Sequence, residues 1–295
     1  MIRIIKRKKL LRLWYLTCRY LLVFFDDESF MNIIRYINYF RLKKKYYVLN
    51  LKNPKTFNEK INFMKLKNKD QKKQRLVDKY LAREYVKNII GERYLVPLIG
   101  VFNNAEEIDL SKLPSEFVLK TNHGSGWNFI CKDKTKINLG EIKKNFKVWL
   151  RQDAFYLSRE YHYKNIKTKI ICEKLISYNL SDFKFFCYNG KPKFIQVDYS
   201  RFTNHSRNIY TSKWIKTKYK ILYDQIPVEI RKPKNFNKMI DIASKLSEKI
   251  NFCRVDLYNH DGKIYFGEIT LCPGGGQEPF ESYEQDLEFG KHILL

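Results

Sequence analysis

The first third of the chain repeats its apolar side chains every three to four positions, which is the period of an amphipathic helix. The same period returns at residues 141–160 and about 236–250. Thr56 followed by Glu59 is the sequence signature of a capping box and predicts a helix that begins just after Thr56. The other predicted helices span residues 31–46, 73–90, 141–160 and about 236–250.

From residue 116 onward, short apolar runs alternate with the two-residue period of β-strands. Asn189-Gly190 stands between two of these runs and is a hairpin turn sequence. The predicted strands are Glu116–Lys120, Phe129–Cys131, Lys169–Ile176, Asp182–Tyr188, Pro192–Tyr199, Phe252–Tyr258 and Lys263–Leu271. Helices that flank antiparallel hairpins predict an α+β fold.

Composition excludes several classes of protein. Of the 295 residues 44% are hydrophobic, which is enough for a core and excludes a wholly disordered chain. The six cysteines are widely spaced without a Cys-x-x-Cys pair, so we predict no disulfide framework and a reducing, cytoplasmic location. No apolar run reaches the roughly 20 residues that a membrane-spanning helix needs.

The net charge of +26 implies an anionic partner: nucleic acid, an anionic membrane surface or an acidic substrate. Nucleic acid is the least favoured, because the sequence contains no zinc finger, no ribonucleoprotein-type strand motif and no basic region joined to a heptad repeat.

The basic charge is concentrated at the start of the chain. Residues 1–50 contain 12 Lys or Arg and three Asp or Glu, and they include an apolar run with Trp, Tyr and Phe. Basic helices with aromatic residues are typical of segments that lie in the lipid headgroup layer. An anionic membrane surface bound through residues 1–46 is therefore one interpretation, and a helix packed on the protein's own body is the other.

The hairpin near the end of the chain carries the main chemical signal. We predict a three-residue loop at 260–262, which pairs Arg254 with Glu268. The same register pairs Asp256 with Phe266 and makes Asp256 a diagonal neighbour of Glu268. The side chains that share one face are then Arg254, Asp256, Glu268 and Thr270. Two such carboxylates suit Mg²⁺, and an arginine suits a phosphate, although an exposed strand face with one Arg–Glu pair is the simpler alternative.

A glycine-rich turn follows the strand that ends at Lys120. Gly124 and Gly126 allow backbone N–H groups to approach an anion closely, as in phosphate-binding loops, and His123 lies in the same turn. A single Gly-x-Gly is also common in ordinary turns. Combined with the carboxylate pair and a lysine at a strand end, it points to a nucleoside triphosphate.

The order of these features resembles the ATP-grasp family, in particular the teichuronopeptide-biosynthesis (TupA-like) type of bacterial polysaccharide clusters. The resemblance runs from about Pro54 to Gly290, and the RVDLY…GKIYFGEIT…PG spacing is similar to that of D-alanine–D-alanine ligases. It implies two antiparallel-sheet subdomains that clamp ATP, behind a helical N-terminal extension. The implied divisions are 1–50 for the extension, 51–115 for a helical region, 116–175 for the lid and 176–295 for the body with the metal site.

The resemblance also implies functions for individual residues. The implied metal ligands are Asp256, Glu268 and Thr270, where Thr270 replaces the usual Asn. The implied ATP-binding residues are Lys79, Lys120, Gly124, Ser125, Gly126, Glu173, Lys174, Leu175 and Lys184, and the implied catalytic residues are Arg254, Lys184 and Lys120. The residues expected at the substrate are Pro273, Gly274 and Gly275 from the resemblance, and Arg201, His205 and Arg207 as cations for an acidic acceptor.

The resemblance implies an enzyme that uses ATP and Mg²⁺, with two ions expected, to join a carboxylate to an amine through an acyl phosphate. In a polysaccharide setting the partners would be an acidic saccharide or lipid-linked glycan and an amine or amino acid, at the inner face of the cytoplasmic membrane. Two alternatives remain open: a kinase on the same scaffold, and a glycosyltransferase, against which the missing Asp-x-Asp motif counts.

Overall fold

A computed structural model describes residues 13–67, 73–178, 180–199 and 204–295. Their helices are α1 (13–20), α2 (Asp27–Arg41), α3 (Phe57–Lys67), α4 (Gln74–Val77), α5 (Ala82–Ile90), α6 (Leu139–Leu150), α7 (Phe155–Ser158), α8 (Phe236–Ser247) and α9 (Tyr283–Gly290). Their strands are β1 (Leu98–Phe102), β2 (Phe117–Thr121), β3 (Asn128–Cys131), β4 (Ile170–Lys174), β5 (Ser181–Tyr188), β6 (Lys191–Tyr199), β7 (Ser206–Thr211), β8 (Phe252–His260) and β9 (Lys263–Thr270). The predicted α+β class is confirmed.

The first sheet has the antiparallel strand order β1-β4-β2-β3. One face is covered by α6, whose Ile142 and Phe146 pack with Phe117 and Leu119 of β2 in a core of their own. Residues 98–102 lie outside the range predicted for the lid, yet they form β1 of this sheet. The domain boundaries themselves stay predictions.

The second sheet has the antiparallel order β7-β6-β5-β8-β9. Helix α8 covers one face and buries Met239 and Leu246 against apolar side chains such as Phe185 and Val255. Because side chains alternate between the two faces of a strand, the intervening residues point to the opposite face. That opposite face is where charged residues collect.

The N-terminal helices pack on the body through their inner faces. Phe30 and Ile34 of α2 join Leu49 and Leu51 in a third apolar cluster. Arg35 is fully buried, and its guanidinium lies over neighbouring tyrosine rings. The inner faces of these helices therefore pack on the protein's own body, which is the second of the two interpretations of this region. None of the described helices is both long and apolar enough to cross a bilayer.

Two predicted helices are wrong as single elements. Residues 73–90 divide into α4 and α5 because Asp78 Oδ1 accepts hydrogen bonds from the N–H groups of Tyr80 (2.8 Å) and Leu81 (3.1 Å), which replaces helical bonding with a turn. Residues 141–160 likewise divide into α6 and α7. The capping box is confirmed, since Thr56 Oγ1 accepts from Glu59 N (3.2 Å) and Glu59 Oε2 accepts from Thr56 N (2.9 Å).

Candidate functional site

The charged face of the second sheet is built by cross-strand pairs that run almost the whole width of the sheet. The directly opposite pairs are Arg207–Asp198, Gln196–Lys184, Lys184–Asp256 and Asp256–Glu268. Opposite residues of antiparallel strands share a face and lie about 5 Å apart. Cations and carboxylates are therefore neighbours across the sheet, and at its β8–β9 end two carboxylates, Asp256 and Glu268, lie opposite each other.

The register of the β8–β9 hairpin differs from the predicted one. Asp261 and Gly262 form a two-residue turn with φ of +50° and +76°, so the three-residue loop is wrong. Gly267 is an unpaired β-bulge residue, and beyond it Asp256 lies opposite Glu268. Without the bulge, Glu268 would fall on the α8 face of the sheet.

The predicted cross-strand pairs are consequently wrong, because Arg254 lies opposite Thr270 and Asp256 does not face Phe266. The shared face is nevertheless correct. The shorter turn and the bulge each shift the pairing by one residue in the same direction, so the total shift is two residues and the parity of the pairing is preserved.

We expect Gly267→Ala to disturb this site. A Cβ atom at position 267 would lie 3.0 Å from the carbonyl oxygen of Asp256 and 3.2 Å from Cζ of Tyr258. Urea unfolding should show a loss of about 1–3 kcal/mol, because the crowded backbone must shift. Gly140→Ala in helix α6 is the matched control, and equal stability of the two variants would contradict the prediction.

Asp256 is the most tightly held carboxylate of the site. It is 2% exposed. Its Oδ2 accepts from Lys184 Nζ (2.5 Å) and Arg254 Nη2 (2.8 Å), and its Oδ1 accepts from Arg254 Nε (2.7 Å). Lys184 Nζ also contacts Asp182 Oδ2 at 2.6 Å. Burial alone would lower the pKa of Lys184, but Asp256 and Asp182 outweigh it and raise that pKa.

Glu268 is held more loosely, with about a third (34%) of its side chain exposed. Its oxygens lie 3.6 Å from Lys79 Nζ and from Arg254 Nη2, and 3.4 Å from the hydroxyl of Thr270. Burial would raise the pKa of Glu268, but nearby cations, Lys79 and Arg254 foremost, lower it to about 2. Glu268 is thus an ionised carboxylate whose oxygens are only weakly engaged.

This depressed pKa predicts how stability depends on pH. The ordinary pKa of 4.5 applies to the unfolded chain, so the stability that ionised Glu268 contributes is complete above about pH 4.5 and is lost as the pH falls toward 2. The difference in unfolding free energy between the wild type and Glu268→Gln should therefore shrink over that interval. A difference that stays constant from pH 6 to pH 3 in urea titrations would contradict this prediction.

The oxygen donors present fit a magnesium ion. Asp256, Glu268 and Thr270 supply hard ligands on one face, and Thr270 Oγ1 lies within hydrogen-bond distance of Arg254 Nη2 (3.2 Å). Glu268 is the accessible ligand of the set, whereas both oxygens of Asp256 are engaged by cations. The metal-ligand assignment of these three residues stays a prediction.

One lysine, Lys79, links the glycine-rich turn to this face. Lys79 Nζ donates to the carbonyl of Gly124 (2.7 Å) and lies beside Glu268, so it connects the turn to the carboxylates. Gly124 has a φ of +93°, and a Cβ atom there would lie 2.7 Å from the Trp127 ring. Ser125 and Gly126 are exposed at the tip of the turn.

His123 turns away from the glycine-rich turn. Its Nε2 lies 2.9 Å from the carbonyl oxygen of Gln152 and 3.2 Å from that of Trp149, so Nε2 carries the proton and donates it. Burial lowers the pKa of His123. A phosphate contact through this nitrogen, which the sequence suggested, does not fit the observed hydrogen bonds.

The strand predicted at Lys169–Ile176 is β4, and its Glu173, an implied ATP-binding residue, is buried. Its carboxylate is shared by Lys120 Nζ (2.6 Å) and Arg83 Nη1 (3.0 Å), so Lys120 contacts Glu173 here. The N–H of Lys174 donates to the carbonyl of Pro97 (3.0 Å), which removes it as a donor to adenine in this conformation. Leu175 follows directly after β4.

The predicted acceptor residues His205 and Arg207 gather around Asp198, which the sequence reasoning missed. Asp198 Oδ1 accepts from Arg207 Nε (2.7 Å) and lies 3.1 Å from His205 Nε2. Arg207 Nη1 also donates to Glu278 Oε2 (3.2 Å). Burial would raise the pKa of Asp198, but Arg207 and Lys184 lower it well below its usual range. Arg201 lies outside the described residues.

The loop that begins at Pro273 is held by a polar face of α3, also missed from sequence. Gly274 and Gly275 adopt φ of +57° and +62°. Lys65 Nζ donates to the carbonyl of Gly275 (2.7 Å), and Asn62 Nδ2 to that of Gly276 (2.7 Å). Asn58, Asn62 and Lys65 recur at i, i+4 and i+7, a spacing that places them on one helix face and was readable from the sequence.

Known families and solved structures include proteins that are similar to this chain. The model of the TupA-like ATP-grasp family matches residues 59–294. No curated protein matches the sequence. Similar solved structures include D-alanine–D-alanine ligase from Bacillus anthracis complexed with ATP, with 16% identity over 68% of this chain and 54% of that one (TM-score 0.42). Another is the ADP complex of purK, N5-carboxyaminoimidazole ribonucleotide synthetase, with 16% identity over 76% of this chain and 52% of that one (TM-score 0.43).

The chain spans about half the length of these two structures. The family match covers every candidate site residue, and it begins after α1 and α2. Because that match extends over most of the sequence, this chain belongs to the TupA-like ATP-grasp family.

Proposed function

We propose that the protein is an ATP- and Mg²⁺-dependent ligase that joins a carboxylate to an amine through an acyl phosphate. The observation that carries the proposal is the charge pattern of the sheet face: Asp256 and Glu268 stand opposite each other, with Lys79, Lys184 and Arg254 around them. Transfer of a γ-phosphoryl group requires neutralisation and positioning of charge rather than a covalent enzyme intermediate.

The proposed chemistry has two steps. A carboxylate oxygen of the acceptor attacks the γ-phosphorus of ATP and ADP leaves; the amine then attacks the acyl carbon, and phosphate leaves with that oxygen. Lys184 and Arg254 would orient phosphate oxygens, while Lys79 and the glycine-rich turn would cover the triphosphate. Mg²⁺ held by Asp256 and Glu268, as one ion or two, would supply additional positive charge at the phosphates.

We further propose that the carboxylate belongs to an acidic saccharide, such as a uronic acid of a cell-surface polysaccharide or its lipid-linked precursor, and that the amine is an amino acid. Arg207 on the edge strand β7 and His205 just before that strand, both beside Asp198, are the groups that would contact an acidic acceptor. A lipid-linked acceptor would place the reaction at the inner face of the cytoplasmic membrane.

Isotope transfer tests the ligase proposal. With ¹⁸O-labelled D-glucuronate as the carboxylate probe, MgATP and a mixture of amino acids, we expect phosphate release that needs both the acid and an amine, and one ¹⁸O atom in the phosphate. Transfer of the phosphoryl group to a stable sugar phosphate without phosphate release would instead identify a kinase. Binding of uridine nucleotide sugars but not MgATP in thermal-shift assays would identify a glycosyltransferase.

A further inference from the structure

Exposed apolar side chains are concentrated at the N-terminal end of the described chain. Of its 23 large hydrophobic residues with exposed side chains, eleven lie between residues 13 and 48. Single exposed hydrophobic residues are normal on soluble proteins, but a concentration of this kind marks an interaction surface.

Most of these side chains lie on the outward faces of α1 and α2, whose inward faces are already packed, and in the segment 21–25 that joins the two helices. On α1, Tyr15 and Cys18 are buried; on α2, Phe30, Ile34 and Tyr39 are buried. The exposed side chains recur at helical spacing on the other side of each helix. We call them the N-terminal apolar surface: Leu13, Leu16, Tyr20, Leu21, Phe24, Tyr36, Ile37 and Phe40.

Phe24 and Phe40 are the most exposed members, at 85% and 76%. Aromatic side chains are costly to leave in water at this level, and they are the residues that insert at the boundary between headgroups and acyl chains. Neither ring contributes to the described apolar cores. As far as the described residues extend, both rings are therefore available to a partner.

The charge around this surface is strongly positive. Arg41 at the end of α2 and Lys43–Lys45 directly after it are exposed. Residues 1–12, which precede α1 in the sequence, contain six Lys or Arg and no Asp or Glu. Three acids lie nearby: Asp26 caps α2 through Ser29 N, Asp27 is engaged by Arg159 and Tyr161, and Glu28 is exposed in the first turn of α2.

From this combination we propose that the N-terminal apolar surface binds the surface of an anionic phospholipid bilayer. Apolar and aromatic side chains flanked by lysines and arginines match the acyl boundary and the negative headgroups respectively. A second copy of the chain fits less well, because pairing two of these surfaces would bring together two segments that each carry a net charge of +9 over residues 1–50. The helices would lie on the membrane and not span it.

The structure also determines how the surface must be tested. Deleting residues 1–46 would also remove the buried side chains of Phe30, Ile34 and Tyr39, so the rest of the chain would lose part of its core. Substituting the exposed rings leaves the core intact. The double variant Phe24→Asp/Phe40→Asp and the control Ile215→Asp, an equally apolar exposed site elsewhere, should both melt at the wild-type temperature.

Co-sedimentation of the full chain with vesicles tests the proposal without ATP or an acceptor, so its failure would be independent of the proposed enzyme activity. We expect binding to phosphatidylcholine vesicles that contain phosphatidylglycerol, weaker binding in high salt, and little binding to phosphatidylcholine alone. The double variant should bind at least about tenfold more weakly, since two inserted rings are replaced by charges. Ile215→Asp should bind as the wild type does.

Three results would overturn the proposal. The first is a wild type that remains in the supernatant with anionic vesicles, and the second is a double variant that pellets as the wild type does. The third is a dimer in analytical ultracentrifugation that Phe24→Asp/Phe40→Asp converts to a monomer, without any vesicle binding by the wild type. That last result would assign the surface to a second copy of the chain.

Discussion

Glu268→Gln should abolish the Mg²⁺-dependent part of ATP-analogue binding and reduce phosphate release from ATP by about 10³-fold or more. The amide keeps the size and hydrogen-bonding capacity of the side chain but removes the charge. Glu268 is the ionised carboxylate whose oxygens have only contacts of 3.4–3.6 Å, so it is the ligand most available to a cation. Isothermal titration with a non-hydrolysable ATP analogue, with and without Mg²⁺, measures the binding effect.

The matched control for this prediction is Glu281→Gln. Glu281 is an exposed carboxylate paired with Lys220, outside the charged sheet face, and its loss should leave nucleotide binding unchanged. Equal Mg²⁺-dependent binding by Glu268→Gln and the wild type would show that the cation is held elsewhere, and the metal site at the β8–β9 hairpin would then be wrong.

Asp256→Asn would not be an equivalent experiment. Asp256 holds both Lys184 and Arg254 through contacts of 2.5–2.8 Å, so its substitution displaces two cations as well as a candidate metal ligand. The two carboxylates therefore differ in kind. Asp256 organises the cations of the site, whereas Glu268 remains open to a ligand.

Local sequence signals predicted the elements whose causes are local. The capping box at Thr56 and Glu59 and the Asn189-Gly190 turn depend on side chains and φ angles within a few residues, and both form as predicted. The common face of Arg254, Asp256, Glu268 and Thr270 was also predicted, because alternation along a strand is a property of the backbone.

The exact registers of two hairpins of the second sheet were not predictable, because each of the two contains a bulge. Gly267 has no partner in the β8–β9 pair, and Lys193 has none in the β5–β6 pair. A bulge depends on how the whole sheet twists and packs, and nothing in a lysine at position 193 indicates one. Each bulge nevertheless decides which side chains share the charged face: in the β5–β6 pair it places Gln196 and not Ile195 opposite Lys184.

The ion-pair partners of the site could not be predicted from the sequence either. Glu173 selects Lys120 and Arg83, which lie 53 and 90 residues earlier in the chain, and Asp198 selects Arg207. In a chain with 57 Lys and Arg, sequence alone offers many cations for each acid. Only the tertiary arrangement decides which of them are buried together, and burial is what makes these pairs strong determinants of the site.

Lys184→Met should be the most destabilising single substitution at the site. Its ammonium lies between Asp182 and Asp256 at 2.5–2.6 Å and is almost fully buried, so its removal leaves buried carboxylates without their shared cation. We expect a loss of about 3–5 kcal/mol, which lowers the melting temperature by roughly 10 °C for a protein of this size. Lys191→Met, an exposed position in the adjacent strand, is the control and should melt within about 1 °C of the wild type.

Melting Lys184→Met with and without Mg²⁺ distinguishes a metal-binding face from an ion-pair network that is purely structural. If the carboxylates accept a divalent cation, Mg²⁺ should raise the melting temperature of Lys184→Met more than that of the wild type, because the ion replaces the missing positive charge. Phosphate release should remain low even when Mg²⁺ restores stability, since the lysine that orients phosphate oxygens is still absent. A variant that Mg²⁺ does not stabilise would assign Lys184, Asp182 and Asp256 to structure alone and leave Thr270 as the remaining candidate ligand beside Glu268.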